Sequence, residues 1–259
     1  MNRDRKIQHA SITLLLISVF LFQNYTLAQN RDAVFGSDGV DVLYTHTLGT
    51  SVFAHTQGLG VNVRYGKFKT AKQSRSYSFD LLYTRHVKEE LSVNSFNPQA
   101  IPYTYGKVNS FITLRLLREI RMEANPKLRF SGVSVNAVYR YGFSMGLLKP
   151  VYLIISEYPY YEFHTEQYDP EVHFYDDIYQ RAPWVNGLDN LTAVPGVHLG
   201  YGLEFEYSGE RGVTRSGEVG AWFDYYLSDI EIISEQFYDP SKSFLTLYVK
   251  FELGSVWTD

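Results

Sequence analysis

The chain has 259 residues and a formal net charge of −4, so it lacks the cationic excess that is typical of nucleic-acid-binding proteins, and we predict no nucleic-acid partner. It contains no cysteine, which excludes disulfides, thiol catalysis, Cys-ligated metals and a lipid anchor on an N-terminal Cys. Aromatic residues reach 16%, with 22 Tyr and 17 Phe, and this content favours a protein with aromatic girdles at two membrane interfaces.

Residues 1–28 predict a secretory signal peptide. Basic residues within the first six positions precede an apolar run from Ile12 to Phe22, and Ala28 ends a short segment with the small residues that signal peptidase reads. The apolar run is shorter than the roughly 20 residues that a membrane-spanning helix needs. We therefore predict cleavage after Ala28, export, and a periplasmic N-terminal segment at residues 29–48.

The remainder, residues 49–259, alternates between apolar and polar positions with the period of two that is typical of β-strands. The last strand shows this best, because apolar residues take every second position from Leu245 to Leu253. Similar segments begin near residues 51, 59, 77, 108, 133, 197 and 219. This pattern predicts an all-β, transmembrane, antiparallel up-and-down β-barrel of about eight strands. About ten strands is the alternative, if residues 133–155 form two strands and residues 40–47 add another.

The composition of the polar face separates a membrane barrel from a soluble β-sandwich or a lipocalin-like barrel. Glycine is mixed there with charged residues, which suits a narrow interior in which ion pairs fit together better than an open solvent face. The charges predicted to point inward are Arg64, Asp80, Arg115, Arg140, Glu204, Glu206, Glu218, Asp224, Lys250 and Glu252. We interpret them as a paired network that fills the barrel, with a proton or ion path as the alternative reading.

The lengths of the connections predict the orientation of the barrel. Outer-membrane barrels have short periplasmic turns and longer extracellular loops. With eight strands, the outer connections after the first short one are 88–105, 157–191 and 228–242, and the inner ones are 69–76, 118–130 and 208–216. The sequence thus predicts a long extracellular loop at residues 157–191.

This loop is rich in aromatic residues interleaved with acids, in the segment EYPYYEFHTEQYDPEVHFYDDIYQRAPWVN. Disordered segments are poor in aromatics, so we predict an ordered lid or a binding interface. The predicted interface residues are Tyr168, Phe174, Tyr175, Tyr179, Arg181 and Trp184. Its His and acidic residues match no metal-ligand spacing, and we predict neither a metal ion nor a cofactor.

Two histidines are the candidates for an alternative enzymatic function. A Ser nucleophile needs a base within hydrogen-bond reach, and small barrel enzymes that modify lipid A place such a pair at the outer rim. By sequence position, His86 could act with Ser92 or Ser95, and His198 could act with Glu204. No motif joins either histidine to its partner, so the sequence predicts no catalytic residue.

Four segments carry a resemblance to a protein family. They are YGKVNSF (Tyr105 to Phe111), YRYGFSMGLLKPVYL (Tyr139 to Leu153), DPEVHFYDDIYQRAPW (Asp169 to Trp184) and FLTLYVKFELG (Phe244 to Gly254). With them the chain resembles a family of uncharacterised outer-membrane β-barrel proteins of the Bacteroidota. The resemblance implies an integral barrel in the outer membrane of a Gram-negative bacterium, and it carries over no catalytic residue.

The function that we predict is that of a non-enzymatic binding or scaffold component, within a secretion or outer-membrane assembly complex. The predicted partners are outer-membrane lipid or lipopolysaccharide and a protein in the same membrane. The alternatives are a lipid A-modifying rim enzyme, either a hydrolase or an acyltransferase, and a narrow channel.

Overall fold

The computed structural model describes residues 44–70, 73–94, 99–126, 132–157, 162–210 and 212–258, without the side chains of Glu157 and of 208–210. The predicted signal peptide and residues 29–43 of the predicted N-terminal segment lie outside the described residues. No helix in the described part of the chain is long and apolar enough to cross a membrane.

The described residues form thirteen β-strands. They are β1 (His46–His55), β2 (Gly58–Thr70), β3 (Gln73–Thr84), β4 (Leu91–Ser92), β5 (Tyr103–Thr104), β6 (Asn109–Asn125), β7 (Val133–Pro150), β8 (Tyr152–Glu157), β9 (Glu162–Gln167), β10 (Ile178–Arg181), β11 (Thr192–Glu210), β12 (Val213–Ile230) and β13 (Ser241–Trp257).

Eight of these strands form one closed antiparallel barrel, in the order β1-β2-β3-β6-β7-β11-β12-β13, and β13 pairs with β1 to close it. Each barrel strand is hydrogen-bonded to the barrel strands before and after it in the chain. The predicted eight-stranded up-and-down barrel is therefore confirmed.

The two ends of the barrel differ in their connections. The strand termini His46 and Trp257 are paired at one end, where the connections after β2, β6 and β11 are short. We call this the turn end. The connections 85–108, 151–191 and 231–240 lie at the opposite end, which we call the loop end.

The outward side chains of the barrel are apolar, and the inward ones are polar or charged. Phe143 and Leu116 point outward and are 76% and 65% exposed, whereas their chain neighbours Ser144 and Arg115 are buried. This reverses the distribution of a soluble β-protein and is that of a transmembrane barrel, whose outward side chains contact lipid.

Glycine at inward positions makes room for large side chains from neighbouring strands. A Cβ at Gly60 would overlap Cζ of Phe53, and a Cβ at Gly202 would overlap the hydroxyl of Tyr248. Any larger residue would therefore displace these rings. The mixture of glycine and charge on the polar face thus follows from the narrowness of the interior.

Several strand boundaries differ from the prediction, and two of these differences change how the segments are connected. The sequence predicts only a turn within residues 118–130, but β6 continues to Asn125 and pairs with β7 over most of that length. It predicts a single strand over residues 133–155, but β7 ends at Pro150, and β8 pairs instead with β9 and β10 in a separate three-stranded sheet. The connection at the loop end therefore begins at residue 151 and not at 157.

Candidate functional site

The interior of the barrel near the turn end holds a cluster of buried ion pairs. Arg140 donates from Nε to Glu119 at 2.7 Å and from Nη2 to Glu218 at 2.6 Å. Arg121 bonds to Glu119 at 2.7 Å and to Glu204 at 2.9 Å. These charges are contributed by β6, β7, β11 and β12, so the network joins four adjacent strands of the barrel.

The same cluster extends to β2 and β13. Arg64 is paired with Glu252, and Arg121 reaches the same carboxylate at 3.2 Å. Lys250 lies 3.1 Å from Glu218. The turn-end cluster consists of Arg64, Arg121, Arg140, Lys250, Glu119, Glu204, Glu218 and Glu252. Its four cations and four carboxylates give no net charge. Such pairing offsets the desolvation free energy that buried charges cost.

A second, smaller group of polar residues lies nearer the loop end. Arg115 donates to Asp224 at 2.6 Å, and Nδ1 of His198 is 2.8 Å from the other oxygen of the same carboxylate. Asn62 donates to Asp80 at 2.5 Å. His198 and Asp224 face each other directly on β11 and β12, so the pair is a cross-strand contact.

Aromatic rings separate the two groups. Trp222 stacks on Tyr248 at 4.2 Å between ring centroids, and Phe53 meets Trp222 edge-on at 5.5 Å. Arg115 lies 4.5 Å from the Trp222 ring on the loop-end side, and Arg140 donates to the Tyr248 hydroxyl at 2.7 Å on the other. The cavity above this layer has a volume of about 10 Å³, room for about one water molecule.

The structure places the residues predicted for the interior as follows. Nine of the ten are buried within the barrel, and the tenth, Glu206, is half-buried. Sequence reasoning missed Glu119 and Arg121, because their segment has the charged composition of a solvated turn. The signal that would have found them is the continued alternation with Ile120 and Met122.

The predicted pair of His198 and Glu204 is not formed. His198 contacts Asp224, while Glu204 is bonded to Arg121, Asn136 and Ser216.

His86 follows β3 at the loop end, where burial lowers its pKa. Its Nδ1 accepts a hydrogen bond from the backbone of Lys88 at 3.2 Å, and none of its described hydrogen bonds is to Ser92. Ser95 lies outside the described residues. The described hydrogen bonds of His86 thus include no hydroxyl nucleophile.

His86 also borders a cavity at the loop end. This cavity of about 290 Å³ is lined by Gln57, by the 231–240 connection and by Phe244. The His86 and Tyr238 rings are 5.4 Å apart across it. Among the described residues, no group of three His, Asp or Glu side chains is placed to hold a metal ion.

The long connections at the loop end fold together into what we call the loop-end module, made of the described residues of 85–108, 151–191 and 231–240. Its core consists of Tyr103, Leu153, Ile155, Tyr168 and Ile178, all buried. Backbone bonds join the connections, since Val151 N donates to Val108 O at 2.9 Å and Ser234 N donates to Gly106 O at 2.9 Å.

The hydroxyl groups of two tyrosines in this core have raised pKa values. Burial raises the pKa of Tyr168 to about 12 and raises the pKa of Tyr103 well above its ordinary range. The Tyr168 hydroxyl accepts a hydrogen bond from Gly106 N at 3.2 Å. Gly106 has a φ of +79°, and a Cβ there would lie 2.9 Å from the ring of Phe237, so only glycine suits this turn.

The surface of the module exposes the apolar and aromatic side chains of Val93, Val172, Phe174 and Tyr175. Phe174 and Val172 are each 62% exposed. The Tyr175 hydroxyl donates to Val93 O at 3.2 Å, which holds two connections of the module together at this patch. We call these four residues the loop-end patch.

The residues predicted as an interface are placed at different depths. Tyr168 is buried in the core of the module, so it supports the surface without forming it. Tyr179 packs on Phe163 with 4.5 Å between ring centroids, and Trp184 lies 5.4 Å from Nζ of Lys149. Phe174, Tyr175, Trp184 and Arg181 are exposed.

No protein-family model matches the chain, and no curated protein matches its sequence. The solved structures to which the chain is similar include the following three. Neisserial surface protein A is 7% identical over 82% of this chain and 96% of its own, with a TM-score of 0.37. A major outer membrane protein of Thermus thermophilus is 9% identical over 83% and 100%, with a TM-score of 0.45. Ail, the attachment invasion locus protein of Yersinia pestis, was solved with a heparin analogue and is 10% identical over 82% and 96%, with a TM-score of 0.33.

Proposed function

We propose that this chain is an integral outer-membrane β-barrel that acts as a non-enzymatic binding component through its loop-end module. The observation that carries the proposal is a contrast between two parts of the molecule. The interior of the barrel is filled by paired charges and rings, whereas the loop-end module is folded and exposes apolar side chains.

The outer membrane is proposed because a closed barrel with apolar outward residues suits a bilayer, and because the predicted signal peptide exports the chain. Such barrels have their chain termini and short turns in the periplasm. By this rule, we propose that the turn end faces the periplasm and that the loop end faces the exterior of the cell. The loop-end module then faces the exterior of the cell.

Binding is proposed for the module because ordering a long connection costs conformational entropy. A core of two tyrosines and three aliphatic residues offsets this cost and holds the loop-end patch in place. Exposed aromatic residues on a rigid support are favoured in protein interfaces. The partner that we propose is another protein of the outer membrane, in a secretion or assembly complex.

Site-specific cross-linking tests this proposal. The chain has no cysteine, so Phe174→Cys provides a single attachment point for a photoactivatable cross-linker in intact cells. We expect one predominant adduct from position 174. The control is Val185→Cys, which is equally exposed but lies outside the loop-end patch, and it should give that adduct weakly or not at all.

A second pair of variants tests whether the patch supplies the affinity. Val172→Ser with Phe174→Ser should release the cross-linked partner on purification from native membranes, because it removes two exposed apolar side chains. Val87→Ser with Val185→Ser removes a similar apolar area elsewhere and should retain the partner. Equal yields of partner from both double variants would contradict the proposal.

A further inference from the structure

A row of positive charges lies on the outward face of three adjacent strands, close to the turn end. Lys67 and Lys69 are on β2, Arg75 is on β3 and Arg118 is on β6. Outward positions on these strands otherwise face lipid, so four cations there need an explanation. We call them the turn-end basic surface.

The strand register brings these cations together. Lys67 is directly opposite Arg75 across β2 and β3, and Arg118 is directly opposite Tyr77 across β6 and β3. Arg75 and Tyr77 are two residues apart on β3, so Arg118 is the diagonal neighbour of Arg75 on the same face. Such neighbours are within reach of long side chains.

Arg118 is held in place by an aromatic residue. Its guanidinium is 5.3 Å from the centre of the Tyr77 ring, and Nη1 donates to the Tyr77 hydroxyl at 3.1 Å. Leu116 and Ile120 precede and follow it on the outward face of β6. An arginine in this position is presented at the level where tyrosines of a barrel meet the headgroups.

Among the described residues of β2, β3 and β6, no carboxylate neutralises the turn-end basic surface. The outward positions described on β2, β3 and β6 include no Asp or Glu, because Asp80, Glu119 and Glu123 alternate with them and belong to the inward face. Within the described part of the chain, no ion pair involves Lys67, Lys69, Arg75 or Arg118. The buried Nε of Arg75 also lacks a hydrogen-bond partner there.

We propose that the turn-end basic surface binds the phosphate of an anionic phospholipid in the leaflet next to the turn end. The inference rests on the proposed membrane location. Arg75 and Arg118 supply planar donors for phosphate oxygens, and Lys67 and Lys69 supply further positive charge. The outward apolar residues of β2, from Leu59 to Tyr65, then contact the acyl chains.

Native mass spectrometry of the purified full chain in detergent tests the proposal. The probes are phosphatidylglycerol and phosphatidylcholine with the same acyl chains, each added separately, and free glycerol 3-phosphate as a third arm. We expect phosphatidylglycerol to bind in preference to phosphatidylcholine, and free glycerol 3-phosphate to leave its occupancy unchanged at equal concentration. Equal binding of the two lipids would overturn the proposal, and displacement by glycerol 3-phosphate would overturn the assignment to a lipid.

Charge-matched variants locate the site. Arg75→Gln with Arg118→Gln should weaken phosphatidylglycerol binding roughly tenfold, and Lys67→Gln with Lys69→Gln should weaken it less. Arg85→Gln with Lys242→Gln removes the same charge from the loop end and should leave binding unchanged. An equal loss in this control would show a nonspecific charge effect and would overturn the proposal.

The proposed membrane location and the proposed lipid site can be tested separately. If the unmodified protein does not insert into vesicles of pure phosphatidylcholine, the membrane location is wrong. If it inserts but shows no preference for phosphatidylglycerol, only the lipid site is wrong.

Discussion

Arg140 and Arg121 each bond to more than one carboxylate, so the charges of the turn-end cluster cannot be divided into independent pairs. Removing one cation leaves at least two carboxylates buried without full compensation. The cost of such a change comes from the groups that remain, since an uncompensated buried charge is far less favourable than a balanced pair. This property separates the cluster from the exposed ion pairs on the surface of the molecule.

Replacing Arg140 tests this account. We expect Arg140→Met to lower the free energy of unfolding by about 3–5 kcal/mol, because Glu119 and Glu218 lose their shared partner. Urea titration of the folded protein in lipid vesicles measures the change. Arg85→Met is the control and should cost less than about 1 kcal/mol, because Arg85 is exposed and its partner Glu89 keeps Lys107 at 2.8 Å. A similar shift in both variants would contradict the role of the cluster.

The inward charges could be predicted from the sequence because strand parity assigns each residue to a face. Which charges contact each other could not, because partners such as Arg64 and Glu252 are 188 positions apart and their contact depends on barrel closure. His198 and Asp224 form an exception. Their pairing follows from the register of β11 and β12, and it could have been found from a correct position of the intervening turn.

In strand β6, the charged composition of the segment makes the strand difficult to predict from the sequence. Its segment from Arg118 to Glu123 carries four charged residues, a composition that is typical of a solvated turn. Inside this barrel the same residues are a strand, because Glu119 and Arg121 face a neutralised interior and Arg118 lies beside Tyr77. Period-two alternation predicts this strand better than polarity does.

The loop-end module is expected to weaken in alkali. Burial raises the pKa of Tyr168 from 10.0 to about 12, so folding favours its neutral hydroxyl. The stabilisation is complete below pH 10 and is lost as the pH rises through 12, where the folded tyrosine also ionises. Tyr103 has its pKa raised for the same reason and contributes in the same direction.

Cleavage by subtilisin between about pH 9 and pH 12 measures this loosening. Fragments from the loop-end connections should increase with pH while the barrel stays intact. Tyr168→Phe keeps the ring but removes the ionising group, so its cleavage should depend less steeply on pH. The same pH dependence in the variant and the unmodified protein would contradict the assignment to Tyr168.

At the scale of the whole molecule, the barrel and the loop-end module follow from the sequence to different degrees. Alternation and connection lengths predict the barrel, because each strand needs only its neighbours in the chain. The module depends on contacts between three separate connections, such as Ser234 with Gly106, and on a new strand after Pro150. Composition predicts that the 157–191 region is ordered, but it does not predict which aromatic residues are buried.

These two parts imply a division of roles. In the proposed function, the barrel anchors the chain in the outer membrane without conducting ions, and the module presents a binding surface to the exterior. A conducting pore needs a continuous column of water through the barrel. In the described interior, the Trp222–Tyr248 stack and the turn-end cluster occupy the space that such a column would need.

The electrical conductance of the purified protein in planar lipid bilayers tests this central claim most directly. Insertion is first verified on a gel, where the folded barrel should migrate differently before and after boiling. With insertion established, we expect no current above the lipid background, and the Trp222→Ala variant serves as the comparison in which the aromatic layer is opened. Stepwise conductance from the unmodified protein would contradict a closed interior and would move the function from the module to the barrel itself.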